Sequence, residues 1–262
     1  TGIHLLNREN VAIRNTQIKT FSYGIMLNSS SNNQINGNSI IENHGAGIYL
    51  YYSSNNTIKG NNITDNGNSI VLVSFSKYNN ISENNIANNG YGIILRDSSN
   101  NRINGNNIMK NQGDGVFLIY SINNSIKENN VTDNSNGIVL GHYSRYNSIS
   151  ENNIVANNRV VNNGYGIHLW DSSSNSISGN NITTHRFAGI MLRNSSNSNI
   201  SGNNVRNEGT GINIYSSSNS RIIGNNLANS TFCISLSLNS NYNSIIGNNI
   251  TNNRRGINLY SA

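Results

Sequence analysis

A small residue, most often glycine, precedes an apolar-x-apolar pair and recurs through the whole chain every 22 or 23 residues. A fixed period of this length is typical of solenoids, in which each copy packs only on its neighbours. One interval is longer, because 29 residues separate Gly137 from Gly166. The pattern predicts eleven turns with one insertion near residues 154–163 (IVANNRVVNN). The twelve starts are Gly2, Gly24, Gly47, Ser69, Gly92, Gly115, Gly137, Gly166, Gly189, Gly211, Cys233 and Gly256.

Residues 47–66 illustrate one unit, which contains four regularly placed aliphatic residues. Ile48 and Leu50 are two apart, the period of a strand, and Ile58 and Ile63 each stand in a short run bounded by Ser, Asn and Gly. Three short strands per turn bury these residues only if the turns stack at ~4.8 Å in parallel register. The sequence therefore predicts an all-β right-handed parallel β-helix, a rod roughly 50–55 Å long.

Asparagine recurs three residues after the Ile58-type position in every turn but the first, where Thr16 stands. A buried amide needs partners for both its donors and its acceptor, and a stack of identical amides one turn apart supplies them. We therefore expect a buried asparagine ladder. Its members are Asn38, Asn61, Asn84, Asn106, Asn129, Asn152, Asn180, Asn203, Asn225 and Asn248.

The repeat G-I-x-L-x-x-S-x-N-N-x-I-x-G-N-N-I-x-x-N covers residues 2–260. It resembles the parallel β-helix repeat of NosD-type proteins and of the related carbohydrate-binding and sugar-hydrolysis domains. It is also similar to repeat arrays of archaeal cell-surface proteins. The resemblance implies the fold but leaves function open, since such repeats occur in polysaccharide lyases, epimerases and hydrolases and in surface proteins without known activity. It transfers no catalytic residue to this chain.

The composition of the chain limits the classes of partner that it could bind. The net charge is +6, but charged residues are only 11% of the chain and form no basic cluster with interleaved aromatics, which argues against nucleic acid. No apolar run is long enough to insert in a membrane. Cys233 is the single cysteine, so no internal disulfide is expected. We expect one domain, residues 1–262, that belongs to a longer chain or stacks end to end.

Asn-x-Ser/Thr sequons are dense, which favours an exported, glycosylated protein at the cell surface. Because Asn, Ser and Thr are common here, no individual glycan is predicted. The sequons begin at Asn28, Asn55, Asn62, Asn80, Asn123, Asn130, Asn181, Asn194, Asn199, Asn229 and Asn249.

The first strand of each unit should form a broad face, and the residue between its Ile and Leu should point outward. From the second to the seventh turn this outward column is wholly apolar. Such a stripe exceeds what a monomer usually exposes and suggests contact with another rod, a domain or a polymer. Alternatively, β-propensity selected these residues, or a loop covers them. The interface candidates are Met26, Tyr49, Val71, Ile94, Phe117 and Val139.

Turns five to nine of the same face carry a different set, centred on the only tryptophan and beside the insertion. An exposed aromatic ring packs on the apolar side of a sugar ring, and flanking polar groups bond its hydroxyls. We therefore predict a glycan-binding face. Its candidate residues are Arg96, Asp97, Tyr120, His142, His168, Trp170, Asp171 and Arg193.

Catalysis is the alternative. Asp97 and Asp171 are three turns apart, about 14 Å by the strand spacing and too far for a glycosidase pair. A lyase or epimerase would use His142 or His168 as base, with Tyr120 and Arg193. No metal site or cofactor is expected, and His4, His44 and His185 resemble ordinary surface histidines. The leading hypothesis is a noncatalytic extracellular structural or adhesive module that binds glycans or self-associates; the runner-up is a polysaccharide lyase or epimerase.

Overall fold

Three parallel sheets wind around one narrow core in the computed structural model, which describes residues 1–156 and 164–260. The described residues form 34 strands and no helix. Successive strands of each sheet are three elements apart in the chain, so each turn contributes one strand to every sheet. The prediction of a right-handed parallel β-helix of eleven turns is confirmed. Most of the predicted insertion, residues 157–163, lies outside the described residues.

Sheet 1 contains the longest strands, of four to six residues, and forms the broad face. Its strands are β1 (Ile3–Leu6), β4 (Ile25–Asn28), β7 (Ala46–Tyr51), β10 (Asn68–Val73), β13 (Ile93–Arg96), β16 (Val116–Ile119), β19 (Ile138–Gly141), β22 (Tyr165–Trp170), β25 (Ala188–Arg193), β28 (Thr210–Tyr215), β31 (Phe232–Ser237) and β34 (Arg255–Tyr260).

Sheet 2 is built from three-residue strands, each centred on an isoleucine that is buried in every strand but the last, where Ile245 is partly buried. Its strands are β2 (Ala12–Arg14), β5 (Gln34–Asn36), β8 (Thr57–Lys59), β11 (Asn80–Ser82), β14 (Arg102–Asn104), β17 (Ser125–Lys127), β20 (Ser148–Ser150), β23 (Ser176–Ser178), β26 (Asn199–Ser201), β29 (Arg221–Ile223) and β32 (Ser244–Ile246).

Sheet 3 has the same three-residue form. Its strands are β3 (Gln17–Lys19), β6 (Ser39–Ile41), β9 (Asn62–Thr64), β12 (Asn85–Ala87), β15 (Asn107–Met109), β18 (Asn130–Thr132), β21 (Asn153–Val155), β24 (Asn181–Thr183), β27 (Asn204–Arg206), β30 (Asn226–Ala228) and β33 (Asn249–Thr251).

The core consists of aliphatic columns in which each residue stacks on its equivalent one turn away. Ile48, for example, pairs in register with Ile25 and Ile70, and all three are fully buried. The recurring glycine is explained by crowding. A Cβ at Gly24 would lie 2.6 Å from the carbonyl oxygen of Gly47 and 2.8 Å from Cγ2 of Ile40. The repeat therefore needs a very small residue where the third sheet meets the first.

The predicted asparagine ladder is present. Asn84 donates through Nδ2 to Oδ1 of Asn106 at 2.9 Å and to the carbonyl of Ile58 at 3.0 Å. Its own Oδ1 accepts from the backbone and the side-chain amide of Asn61, at 3.0 and 2.9 Å. Each buried amide thus joins three turns and satisfies backbone groups that the corner leaves free.

Similar ladders run along the other corners, which the sequence interpretation did not recognise. Serine hydroxyls such as Ser53 follow sheet 1, and a second asparagine ladder through Asn56 precedes sheet 2. A third asparagine ladder through Asn66 follows sheet 3. A further ladder lies on the outside of sheet 3, where Asn85 donates to Oδ1 of Asn62 at 2.8 Å. The rod is therefore held by side-chain amides as well as by its strands.

The prediction that His185 is an ordinary surface residue is wrong. Its side chain is fully buried in the ladder that follows sheet 3, where it replaces an asparagine. Nδ1 of His185 lies 3.2 Å from Oε1 of the equally buried Glu208, and the backbone N–H of His185 donates to Oε2 at 2.7 Å. Burial raises the pKa of Glu208, and the hydrogen bonds to His185 oppose that shift. The sequence period indicates that His185 is buried only once the asparagine ladder that follows sheet 3 is known.

Candidate functional site

The outward face of sheet 1 presents its side chains as columns parallel to the rod axis. The register places Val139 beside His168 and His168 beside Met191, in agreement with the alternation expected from the sequence. A further column stands at the corner after each strand, where the backbone has a positive φ; Tyr120 (51°) and Asp171 (51°) belong to it. These left-handed corners turn side chains outward at the edge of the face.

The apolar stripe of interface candidates is less continuous than expected. Met26, Tyr49, Ile94 and Phe117 are partly exposed, whereas Val71 and Val139 are buried at 8% and 6% exposure. The reason is side-chain size, because each valine lies in register between larger neighbours. For Val71 these are Tyr49 and Ile94. The stripe therefore consists of partly exposed aromatic and aliphatic side chains, with the two shorter valine side chains covered between them.

Three of the glycan-face candidates form one aromatic cluster across turns six to eight. The Tyr120 and His142 rings stack at 5.8 Å between centroids, and the His142 and Trp170 rings lie 4.4 Å apart. The ring of Tyr143, which comes from the same turn as His142, also stacks with Tyr120 at 6.3 Å between centroids. Tyr120 and Trp170 are 48% and 38% exposed, so their edges and faces remain open to solvent. The cluster is an aromatic platform parallel to the rod axis.

Gly141 leaves open space beside Trp170. It occupies the position next to Trp170 in the sheet register, where a Cβ would make ordinary van der Waals contacts, 3.9 Å from Cε3 of Trp170 and 3.6 Å from Cε2 of Phe117. A longer side chain would fill the space beside the indole. The absence of one leaves a notch on the platform.

Beyond Trp170 the face contains a shallow depression of about 240 Å³, lined by Met191, Arg193 and Tyr215. Arg193 pairs with Trp170 in register, and its guanidinium lies 5.9 Å from the centroid of the Tyr215 ring. The depression thus has an aliphatic floor, an aromatic wall and a cation. Asp171 lies at the corner above it and accepts a 3.0 Å hydrogen bond from Asn194.

The imidazole ring of His168 packs against its neighbours and does not project freely into solvent. Its ring lies 4.6 Å from that of Tyr165, and its Nε2 is buried without a hydrogen-bond partner among residues 1–156 and 164–260. Desolvation, reinforced by the positive charge of Arg193, lowers the pKa of His168 to about 4. The imidazole is therefore neutral at pH 7. Its predicted place on the glycan face is consequently limited to supporting the neighbouring rings.

Arg96 and Asp97 stand apart from the cluster. They belong to turn five, three strands from Trp170 and Asp171 in sheet 1. The two carboxylates are therefore separated by three strand spacings, as expected, which does not match a glycosidase pair. The structure brings together Tyr120, His142, Trp170, Asp171 and Arg193 and leaves Arg96 and Asp97 at the margin.

Asp114 is a candidate that the sequence interpretation missed. It flanks sheet 1 just before β16, accepts a 2.7 Å hydrogen bond from Nδ2 of Asn136, and interacts electrostatically with Tyr91. Burial raises its pKa to about 6, although hydrogen bonds from Asn136 act in the opposite direction. Strand alternation predicts outward positions only within the strands, and Asp114 precedes its strand. Asp114 is the only acid in the column of residues that precede the twelve starts, and that is the signal that could have found it.

Comparison with protein families gives two matches that together span the chain. The model described as "right handed beta helix region" matches residues 1–154. The model described as "periplasmic copper-binding protein (NosD)" matches residues 146–262. The expected resemblance to NosD-type repeats is confirmed. A comparison with curated protein sequences found no match.

Solved structures share the fold. The A-module of mannuronan C-5 epimerase AlgE6 of Azotobacter vinelandii superposes with a TM-score of 0.71 at 14% identity, over 97% of this chain and 82% of that chain. The periplasmic alginate epimerase AlgG gives 0.61 at 18% identity, over 92% and 69%. The Dettilon tailspike protein gives 0.61 at 16% identity, over 97% and 61%. At these identities the likeness shows the fold alone.

The second family description names copper, so the residues of this chain can be compared with the ligands that copper requires. Copper prefers clustered His, Cys and Met ligands. His168 and Met191 are neighbours, but Cys233 belongs to β31, three strands from β22, and is fully buried. Among residues 1–156 and 164–260 no three His, Cys, Asp or Glu side chains are grouped to hold a metal ion. These residues do not fit a copper centre.

The described part of the chain forms no helix able to span a membrane.

Proposed function

The chain belongs to the right-handed β-helix family, and on that premise we propose that it binds an extended polysaccharide along the outward face of sheet 1. The binding region runs from turn six to turn ten. It comprises the aromatic platform of Tyr120, His142 and Trp170, followed by the depression beside Arg193. The role is noncatalytic, as a structural or adhesive module outside the cell membrane.

The single observation that supports this proposal best is the continuity of the platform with the depression. A sugar ring has one apolar side, which packs on an indole, and a rim of hydroxyls, which seek charged or amide partners. Trp170 offers the first surface, and Arg193, Asp171 and Asn194 offer the second within one turn of it. Ring and polar partners follow each other along the rod axis, in the direction a linear polymer would take.

The shape favours a polymer over a small molecule. Small-ligand sites usually enclose 300–1,000 Å³ and bury most of the ligand. The depression at Arg193 holds about 240 Å³ and is shallow. A single sugar would therefore bind weakly, whereas a chain that contacts several turns at once would gain from effective concentration. Solved structures of similar fold include two epimerases named for polysaccharides, which supports a carbohydrate partner.

The test compares two aromatic truncations. Trp170→Ala should weaken binding of the best ligand in a panel of neutral and acidic polysaccharides by about tenfold, measured by affinity electrophoresis. Tyr242→Ala is the control, because Tyr242 is 86% exposed on a corner of turn eleven, away from the platform. Equal retardation of both variants and the unaltered protein would remove the platform from the binding account. So would a panel without any retarded protein.

An exported location follows from the same proposal. The family description and one similar structure carry the word periplasmic, and a third protein of this fold is a tailspike. The sequons add support: Asn55, Asn123 and Asn229 lie exposed on corners with positive φ. Cell fractionation of the native organism, with detection of the protein in the external fraction, tests the location directly.

A second candidate function is epimerisation or elimination on a uronic-acid polymer, favoured by Asp114. A carboxyl group whose pKa is about 6 exchanges protons near neutral pH, as a general base at the carbon beside a uronate requires. Incubation with polymannuronate, followed by NMR of the sugar composition and absorbance of unsaturated products, tests it. Turnover that Asp114→Asn abolishes would establish this function, and unaltered polymer after prolonged incubation would reject it.

A further inference from the structure

Sheet 2 carries a feature that is separate from the platform. Its outward side, on turns three to six, contains an open basin of about 500 Å³ between long charged side chains. We propose that this basin binds the anionic group of an acidic saccharide, a carboxylate or a sulfate ester attached to a hydroxyl-rich ring. The site lies on a different sheet from the proposed polysaccharide face and does not depend on it.

The floor of the basin is polar and has unused hydrogen-bonding capacity. It is formed by Asn80, Ser82 and Asn104. Ser82 and Asn104 are partners in the register of sheet 2, and Asn80 lies two residues before Ser82 on the same strand. Comparable side chains elsewhere in the rod bond to each other, as Asn85 does to Asn62. In the described parts of the chain, no side-chain hydrogen bond is formed by any of the three floor residues. Their amides and hydroxyl can both donate to and accept from sugar hydroxyls.

Two lysines form the ends of the basin. Lys59, Ser82, Asn104 and Lys127 follow one another in a single column, so the lysines are three strand spacings apart, about 14 Å. The residues between them are short, and this difference in length creates the hollow. Lys59 is paired with Glu83 at 3.1 Å, which partly neutralises that end.

Lys127 is neutralised more completely. It lies 3.0 Å from Glu128 and 3.3 Å from Glu151, and these two partners raise its pKa. The lysine ends are thus fixed by ion pairs that are already formed. They define the length of the basin but leave little charge for a ligand.

Arg102 is the cation that remains. It is exposed, borders the floor beside Asn80, and has no acidic group within ion-pair distance among the residues described. A guanidinium presents parallel N–H groups that match a carboxylate or a sulfate in a two-pronged geometry. The free charge next to unused amides therefore selects an oxyanion that also bears hydroxyls. None of the described residues that line the basin is aromatic, which argues against a nucleobase.

The experiment uses three defined probes with the whole chain. These are a hexameric oligogalacturonate, its carboxyl-reduced neutral counterpart and a sulfated oligosaccharide of similar length, each titrated calorimetrically at low ionic strength. Arg102→Ala should weaken binding of the anionic probes by about tenfold, and Arg102→Lys should recover only part of the loss. Binding of the uronate alone assigns a carboxylate, and binding of the sulfated probe alone assigns a sulfate.

Arg221→Ala is the matched control. Arg221 is exposed in the same column of sheet 2 as Arg102, and its neighbours in register are Asn199 and Ser244. The column that carries the two lysines at the basin holds Ser201, Ile223 and Ile246 here, so no lysine stands beside Arg221. Its loss should change the affinity by less than about twofold. The proposal is overturned if Arg221→Ala and Arg102→Ala have equal effects, because general attraction to a basic rod would then suffice. It is also overturned if the neutral probe binds as tightly as the anionic ones.

Trp170→Ala separates this site from the platform. If the basin binds the anionic probes, their calorimetric signal in this variant keeps its sensitivity to Arg102, even when the platform binds nothing. If the signal disappears with Trp170 and ignores Arg102, the basin proposal fails while the platform proposal stands. The two failures are thus distinguishable in one set of titrations.

Discussion

Asn84→Ala should destabilise the rod far more than Asn85→Ala, although the two residues are adjacent and identical. Asn84 is 1% exposed, and its Oδ1 accepts from the backbone N–H and the side-chain amide of Asn61. Asn85 is exposed, and its amide exchanges bonds only with Asn62 and Asn107 on the outside of sheet 3. Because both substitutions remove the same side chain, the difference between them measures the effect of burial.

The magnitude follows from the groups left without partners. Removing the Asn84 side chain orphans two buried donors of Asn61, and each costs about 1–3 kcal/mol. It also frees the carbonyl of Ile58. The free energy of unfolding should fall by about 3–5 kcal/mol. Water replaces both bonds of Asn85, so Asn85→Ala should cost less than about 1 kcal/mol.

Guanidinium denaturation followed by circular dichroism measures the difference, with native-state amide exchange as the local assay. In Asn84→Ala the backbone amide of Asn61 should exchange much faster than in the unaltered protein. A solenoid transmits such a defect mainly to adjacent turns, so amides of turn nine should change little. If the two variants agreed within about 0.5 kcal/mol, the ladder would not be the stabilising element described.

Three further expectations can be measured. Burial raises the pKa of Asp114 to about 6, so the stability that its protonated form contributes is present below the ordinary pKa of 3.8 and is lost as pH rises through about 6. Asp114→Asn should therefore stabilise the protein by about 1–2 kcal/mol at pH 7–8 and change its stability little at pH 4. Denaturation curves of the two proteins that coincide at every pH would contradict this expectation. Gly24→Ala should cost about 2–4 kcal/mol through its clash with the next turn, whereas Gly256→Ala, with nothing within 4 Å, should cost under about 0.5 kcal/mol; similar costs would contradict the crowding. Burial raises the pKa of Cys233 to about 11, so a thiol reagent at pH 8 should modify it only after unfolding, and rapid labelling of the native protein would show the strand is open.

Much of the fold could be predicted because its determinants are periodic. Ile48, Leu50, Ile58 and Ile63 repeat their spacing in each turn, and a parallel stack is the arrangement that buries them all. Asn61 repeats likewise, which indicated one ladder. The other corner ladders were missed because Ser53 and Asn66 resemble ordinary turn residues until three-dimensional spacing shows that each lies above its equivalent.

The candidate site could be predicted only in part, since it depends on differences between turns. Alternation placed Trp170 and Arg193 on one face correctly. It could not show that Val71 lies beneath larger neighbours or that Nε2 of His168 is buried, because both depend on the lengths of side chains in adjacent turns. Arg102 was overlooked for a related reason: its environment is created by short residues that come from other turns.

Titration of intrinsic fluorescence tests the central claim most directly, because Trp170 is the only tryptophan in the chain and reports solely on the platform. A saturable shift of its emission is predicted with an oligosaccharide of the polymer that binds in affinity electrophoresis, and the shift should decrease in Tyr120→Ala. Binding of that oligosaccharide detected by calorimetry, with Trp170 emission unchanged to saturation, would contradict the placement of the polysaccharide on sheet 1.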